Sequence, residues 1–207
     1  DSAVRLRQYR ELATQRQLPM RINLEIDVGL HRGGLRTLEE LAEVLQLIEG
    51  DPLLSFSGFM GYEPHVVKMP GIVGGPLRAF EKAQSQYRRF VDAAEKQLGR
   101  SIADLTLNAA GSPTYQLYDS DEPANELAAG SALVKPTDFD LETLADHQPA
   151  AFIATPVIKA LDTTKVPGLE PLAGAMAWLN PNRRRAFFIY GGYWKALPES
   201  PAGLSVN

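Results

Sequence analysis

The sequence predicts an α/β chain in which an incomplete TIM-type (β/α)8 barrel is followed by the start of a C-terminal β domain. Three observations carry this. Helical stripes and strand-like alternations succeed one another from residue 1 to about 110, the pattern of parallel strands with covering helices. Each candidate strand has one polar or small face: Asn23/Glu25/Asp27, Ser55/Ser57 and Asp104/Thr106/Asn108. An open doubly wound sheet and a closed barrel both fit the alternation. Strands of the open sheet are covered on both faces and run apolar throughout, so the polar faces favour a barrel interior. After about residue 148 the texture turns β-rich with no clear helical stripe, which divides the chain into 1–147 and 148–207.

The elements follow in order. Asp1 and Ser2 are good N-cap types, and Leu6, Tyr9 and Ala13 give a rough stripe, so a helix runs to about Gln17 and ends before Pro19. Ile22, Leu24 and Ile26 alternate with Asn23, Glu25 and Asp27 in a first strand, broken by Gly29, Gly33 and Gly34. Thr37 and Glu40 form a capping box heading a helix with Leu38, Leu41, Ala42, Leu45 and Ile48 on one face; Gly50-Asp51-Pro52 stops it. Leu54 and Phe56 alternate with Ser55 and Ser57 in a second strand that runs to about Phe59. Pro76 suits the first turn of a third helix, striped by Phe80, Ala83, Tyr87, Phe90, Ala94 and Leu98 and capped by Gly99. Leu105 and Leu107 mark a third strand, and two short strands around an acidic loop (Asp119, Asp121, Glu122) fill Tyr115 to Val134. Ala151-Phe152-Ile153, Val157-Ile158 and Ala186 to Tyr190 read as β, with a short helix at Leu172 to Leu179. The stretch from Pro198 to Asn207 is rich in Pro, Ser and Gly and closes no fold.

Composition narrows the function. The chain has 207 residues, 44% hydrophobic and 22% charged, enough to bury a sizeable core. Its net charge of −4 argues against a nucleic-acid binder working through bulk positive charge. With no cysteine, disulfides, thiolate metal sites and Cys nucleophiles are excluded. His31, His65 and His147 form no HxxxH or HxH pair, so no metal site is expected from this chain alone. No apolar run approaches the ~20 residues of a membrane span. The chain starts at Asp1 without a signal-peptide pattern, so a cytoplasmic protein with no membrane partner is expected, either processed at its N-terminus or a piece of something longer. There is no GxxxxGK[ST] loop, no GxGxxG after a strand and no Gly-x-Ser-x-Gly elbow.

In parallel α/β folds the chemistry sits on loops after the C-terminal strand ends. After the first strand, glycines flank Arg32, a fixed cation suited to a phenolate or phosphate oxygen; a solvated Arg on a glycine turn is the simpler alternative. After the second, Tyr62 is placed to stack on a flat cofactor or to pack, and His65 to transfer a proton or to support the loop. After the third, Gly111-Ser112, with Gly130-Ser131 on the next strand end, offer N–H groups and hydroxyls to a phosphate, although Gly-Ser turns are common.

Four segments together resemble fold-type III pyridoxal-phosphate enzymes. These are the alanine-racemase-like barrels, and in particular the D-threonine aldolase and D-serine dehydratase branch. Residues 26–34 (IDVGLHRGG) are similar to its IDVG-x-x-R-x-G segment, and 58–65 (GFMGYEPH) to its strand end G-x-x-G/A-Y-x-G-H. Residues 111–114 (GSPT) are similar to its G-S/T-P-T turn, and 125–131 (NELAAGS) to T-E-L-R-P-G-S/T, with Ala128-Ala129 in place of Arg-Pro. The resemblance implies that Arg32 holds the cofactor's phenolic oxygen and that Tyr62 lies against its ring. It implies phosphate contacts from Ser112, Gly130 and Ser131; Gly111 joins them as a cofactor-binding candidate, and Tyr62 and His65 are the catalytic candidates. The Schiff-base lysine is expected in a segment before Asp1, and any divalent metal in a segment outside this chain. The implied protein is a homodimer acting on a small amino acid by aldol cleavage, β-elimination or racemisation. A non-catalytic pyridoxal-phosphate-binding barrel and an unrelated phosphate-binding barrel enzyme are the alternatives.

Overall fold

The computed structural model describes residues 1–119, 122–136, 139–152, 156–161, 168, 170–172, 174–175, 186–189, 192–196 and 204–206. They fall into two compact units. The first is Asp1–Ala132 with Leu141–Ala145; the second is Leu133–Asp140 with residues from Asp146 onward.

The first unit is built on four parallel strands in the order β1 (Met20–Ile26), β2 (Leu54–Gly61), β3 (Thr106–Ala109) and β4 (Glu126–Leu127). Three helices intervene: α1 (Ala3–Arg16), α2 (Leu38–Glu49) and α3 (Gly75–Leu98). Alternation decides which face of β1 is covered. Ile22, Leu24 and Ile26 are buried, with Arg21 and Asn23 exposed between them. The buried side packs with Leu41, Val44, Leu45 and Ile48 of α2 and with Ala83, Tyr87, Phe90 and Ala94 of α3 in one core. The α2 capping box forms as expected, with Glu40 N–H on the Thr37 hydroxyl and the Thr37 N–H on the Glu40 carboxylate. α3 opens on Pro76 and ends on Gly99 in the left-handed region, also as expected.

The sheet's C-terminal rim is set by a bulge that the alternation of β2 did not predict. Ile22 lies opposite Phe56, but Asn23 lies opposite Gly58, so Ser57 is an extra residue. Gly58 has φ +127, and a Cβ there would sit 1.9 Å from the Thr106 carbonyl oxygen, which only glycine tolerates. The bulge buries Ser57, expected on the polar face, and returns Phe59 to the side of Phe56, edge-to-face at 5.2 Å. Phe59 also meets Tyr87 and Phe90 edge-on. The Tyr87 hydroxyl donates to the Asn108 carbonyl at 3.0 Å and reaches that of Phe59 at 3.4 Å, so α3 ties the ends of β2 and β3 together.

Other expectations are corrected. Tyr9 is exposed; only Leu6 and Ala13 of its stripe are buried in α1. The third strand begins at Thr106, because Ile102–Leu105 is a hydrogen-bonded turn. Between Tyr115 and Val134 the described residues hold one two-residue strand, β4, flanked by 3-10 turns at Tyr115–Leu117 and Ser131–Leu133, in place of two strands. Asn125 explains why pairing starts where it does. Its amide donates to the Ala103 and Leu105 carbonyls, and its oxygen accepts the Leu107 N–H.

The second unit contains an antiparallel sheet ordered β5 (Val157–Leu161), β6 (Ala186–Ile189), β7 (Gly192–Ala196) and β8 (Leu204–Val206). Strand β8 corrects the reading of the last ten residues as closing nothing, since it pairs with β7. Ala151 and Phe152 lie outside any strand, and Phe152 is exposed. Ile153 and Tyr190 lie outside the described residues, as does most of the helix expected at Leu172 to Leu179, where Glu170–Leu172 is a 3-10 turn.

Candidate active site

Parallel pairing places the ends of β1, β2, β3 and β4 along one rim, and the loops singled out by the sequence leave from it. Asp27 organises the first loop. Its Oδ1 accepts the N–H groups of Gly29 (3.0 Å) and His31 (2.9 Å), and its Oδ2 lies 2.8 Å from His31 Nδ1 and 3.7 Å from Arg36 Nε. Burial works to raise the Asp27 pKa, but these hydrogen bonds outweigh it and hold the carboxyl below its ordinary value. Backbone bonds from Asp27 N–H to Leu35 and from Leu35 N–H to Glu25 close the loop around residue 32.

Arg32 leaves this frame with its side chain 57% exposed and one guanidinium nitrogen 3.6 Å from Glu25 Oε1. Its guanidinium carbon stands 4.8 Å from the centroid of the Tyr62 ring, a cation–π contact between the first and second loops. That ring also lies against Gly111, where a Cβ would lie 2.3 Å from Tyr62 Cε2. The glycine is what lets the ring close on the third turn.

Next to Gly111, the buried Ser112 hydroxyl oxygen accepts the N–H groups of Gly130 (3.1 Å) and Ala132 (2.9 Å), which joins the third turn to the end of β4. With Oγ accepting twice, the O–H proton remains to be donated. Gly130 and Ser131 are exposed beside it. The amides of Gly111 and Gly130 are already donated inside the protein, the former to Thr114 Oγ1. Arg32, Tyr62, Gly111, Ser112 and Gly130 are thus brought together through successive contacts.

His65 belongs to a different group. Its ring abuts Gly29, and its Nδ1 is buried without a partner. Burial, then the nearby His31, holds its pKa below the ordinary value, against the pull of Asp27.

Sequence reasoning missed two contributors. Asp27 was placed on the polar strand face, although an aspartate two residues before a glycine is an Asx-turn signal. Glu63 drew no reading, yet it is 1% exposed, and burial pushes its pKa up against the Thr114 hydroxyl that donates to it and the nearby Tyr118 hydroxyl and Ala110 N–H. No sequence pattern separates a buried acid from a solvated one at such a position. Among the described residues no helix is long and apolar enough to cross a membrane, and no three His, Asp or Glu side chains group as metal ligands.

A parallel α/β rim bearing an Arg–Tyr–Gly-Ser constellation defines a class, and comparison supplies its family. The model of the alanine racemase N-terminal domain family matches residues 1–138, and the chain belongs to that family. Among curated proteins it is 26% identical over 118 residues to the 3-hydroxy-D-aspartate aldolase of Paracoccus denitrificans (strain Pd 1222), covering 57% of this chain and 30% of that protein. Among solved structures, the alanine racemase of Bacillus anthracis aligns with TM-score 0.58 at 18% identity, over 77% of this chain and 39% of that one. The D-threonine aldolase of Filomicrobium marinum aligns with TM-score 0.55 at 18% identity, over 70% of this chain and 37% of that one. The chain spans less than half the length of each of these three relatives, and the structural likenesses show the shared fold.

Proposed function

We propose that this chain is the cofactor-binding part of a pyridoxal-phosphate-dependent enzyme acting on a D-amino acid or β-hydroxy amino acid, by aldol cleavage, β-elimination or racemisation. The observation that carries the reading is the Arg32–Tyr62–Gly111 stack beside the Ser112–Gly130 corner, at the C-terminal ends of adjacent parallel strands. The residues fit the cofactor. A half-exposed guanidinium, an aromatic ring seated on a glycine and a serine with its proton to give match a phenolate, a flat ring and a phosphate. When bound, the cofactor supplies an electron sink that stabilises negative charge at the substrate α-carbon.

The chain's own residues bind and orient. Arg32 holds the phenolic oxygen charged, and Glu25 holds Arg32 in turn. Tyr62 backs the ring and moves a proton at its phenolic oxygen. Ser112 and Ser131 donate to the phosphate, Gly130 lets the backbone come close, and Gly111 seats the Tyr62 ring beside it. His65, whose pKa burial lowers, is the second proton-transfer group. The relatives bearing aldolase names support the branch with β-hydroxy substrates. The same reading makes the protein a cytoplasmic homodimer, and places the Schiff-base lysine and any divalent metal in segments outside this chain.

The test is borohydride reduction of the full-length protein with pyridoxal phosphate followed by peptide mapping, alongside turnover of D-serine, D-threonine and alanine with and without a divalent metal. A reduced adduct and turnover of one substrate are expected. Retained cofactor with no turnover would make the protein a carrier, and no retention at all would refute the reading.

A further inference from the structure

We propose that Glu63 is a positioning residue that locks the Tyr62 loop to the Gly111–Ser112 turn, and so selects for the phosphorylated form of the cofactor; this rests on the cofactor reading above. Glu63 directly follows Tyr62 and is buried, as is Thr114. The Thr114 hydroxyl donates to Glu63 Oε1 at 2.6 Å and accepts the Gly111 N–H at 3.1 Å. Gly111 in turn carries the Tyr62 ring. The contacts form a closed circuit from Tyr62 through the peptide bond to Glu63, across to Thr114, on to Gly111 and back to the Tyr62 ring. The Glu63–Thr114 bond holds the backbone that carries Tyr62 against the turn that carries Gly111 and Ser112.

The side chain is a costly choice for packing alone. No ion pair reaches Glu63 among the described residues, and burying a carboxyl without a cation costs free energy unless it is hydrogen-bonded. The Tyr118 hydroxyl lies close to Glu63 and to Gln84, yet neither that hydroxyl nor Gln84 Oε1 makes a well-formed hydrogen bond. The pocket is therefore organised around the Thr114 link. A buried carboxyl beside the rim, with a short bond that spans two of the rim's loops, fits a positioning role.

The experiment compares equilibrium binding of pyridoxal phosphate and of pyridoxal by the full-length protein and by Glu63→Ala, Glu63→Gln and Thr114→Val. Glu63→Ala and Thr114→Val are expected to weaken pyridoxal phosphate about tenfold and pyridoxal by less than about threefold, because the turn that meets the phosphate is what loosens. Glu63→Gln keeps an acceptor oxygen for Thr114 and is expected to restore the preference to within about threefold of the parent. Equal losses for both ligands, unchanged binding in Glu63→Ala, or Glu63→Gln as weak as Glu63→Ala would overturn the proposal. Where Glu63→Ala does not fold by circular dichroism, Thr114→Val and Glu63→Gln decide it. Failure of the parent protein to bind either ligand would refute the cofactor reading instead.

Discussion

Arg32 is the residue on which the site turns, because its charge is fixed and its fork is held between Glu25 and the Tyr62 ring. Arg32→Ala is expected to weaken cofactor retention at least tenfold, read from the cofactor content of the purified protein, since a charge-assisted hydrogen bond contributes about 1.5–3 kcal/mol. Unchanged content and activity would remove the first loop from the site. Gly111→Ala places a methyl 2.3 Å from a Tyr62 ring carbon, so the ring must swing off the turn. A loss of cofactor affinity is expected, with a smaller loss of stability, measured by titration and by urea unfolding. Glycines and strand ends located the rim loops of Arg32, Tyr62 and Ser112 in the sequence, but left simpler alternatives open for each; the family resemblance singled these residues out. Asp27 and Glu63 were not, because alternation assigns a face and says nothing of which carboxylates lose their water.

At the scale of elements, the bulge in β2 shows where pattern reading fails. Leu54, Ser55, Phe56 and Ser57 alternate cleanly, but the residue that decides the register is Gly58, whose absent side chain admits the Thr106 carbonyl. Gly58→Ala is expected to cost about 3 kcal/mol or more in chemical denaturation, from strain at positive φ combined with a backbone clash. The helices were easier to read. The Thr37–Glu40 box and the stripe of α3 are local signals, and local chemistry formed both. Thr37→Ala is expected to cost about 1 kcal/mol by the same measurement, leaving cofactor binding unchanged. The stretch from Tyr115 to Val134 was misread because its strand is held by the Asn125 side chain, which closes on Ala103, Leu105 and Leu107 by folding and leaves no period-two trace.

For the whole molecule, stability depends on pH through buried groups near the rim. Burial raises the Glu63 pKa in the folded protein. Its protonated form is thus favoured by folding, and the contribution is full below the ordinary glutamate value of about 4.3 and is lost as pH rises through the raised value. Relative to Glu63→Gln, which carries no titrating group there, the parent protein is expected to lose stability in urea unfolding as pH rises above about 4.3. A constant difference would contradict the burial account. His65 works in the opposite sense. Its lowered pKa gives a contribution present above about 6.5 that is lost as pH falls through the depressed value.

The alternation of helix and strand made the parallel sheet of the first unit legible, and four short motifs located its rim. Convergence of that rim depends on contacts between residues far apart in sequence, Arg32 with Tyr62 and Tyr62 with Gly111. The most direct measurement is a crystal structure of the protein grown with pyridoxal phosphate. Density is expected for the ring against Tyr62, with its phenolic oxygen on Arg32 and its phosphate on Ser112 and Ser131. A cofactor seated elsewhere, or one out of hydrogen-bond reach of both Arg32 and Ser112, would contradict the account.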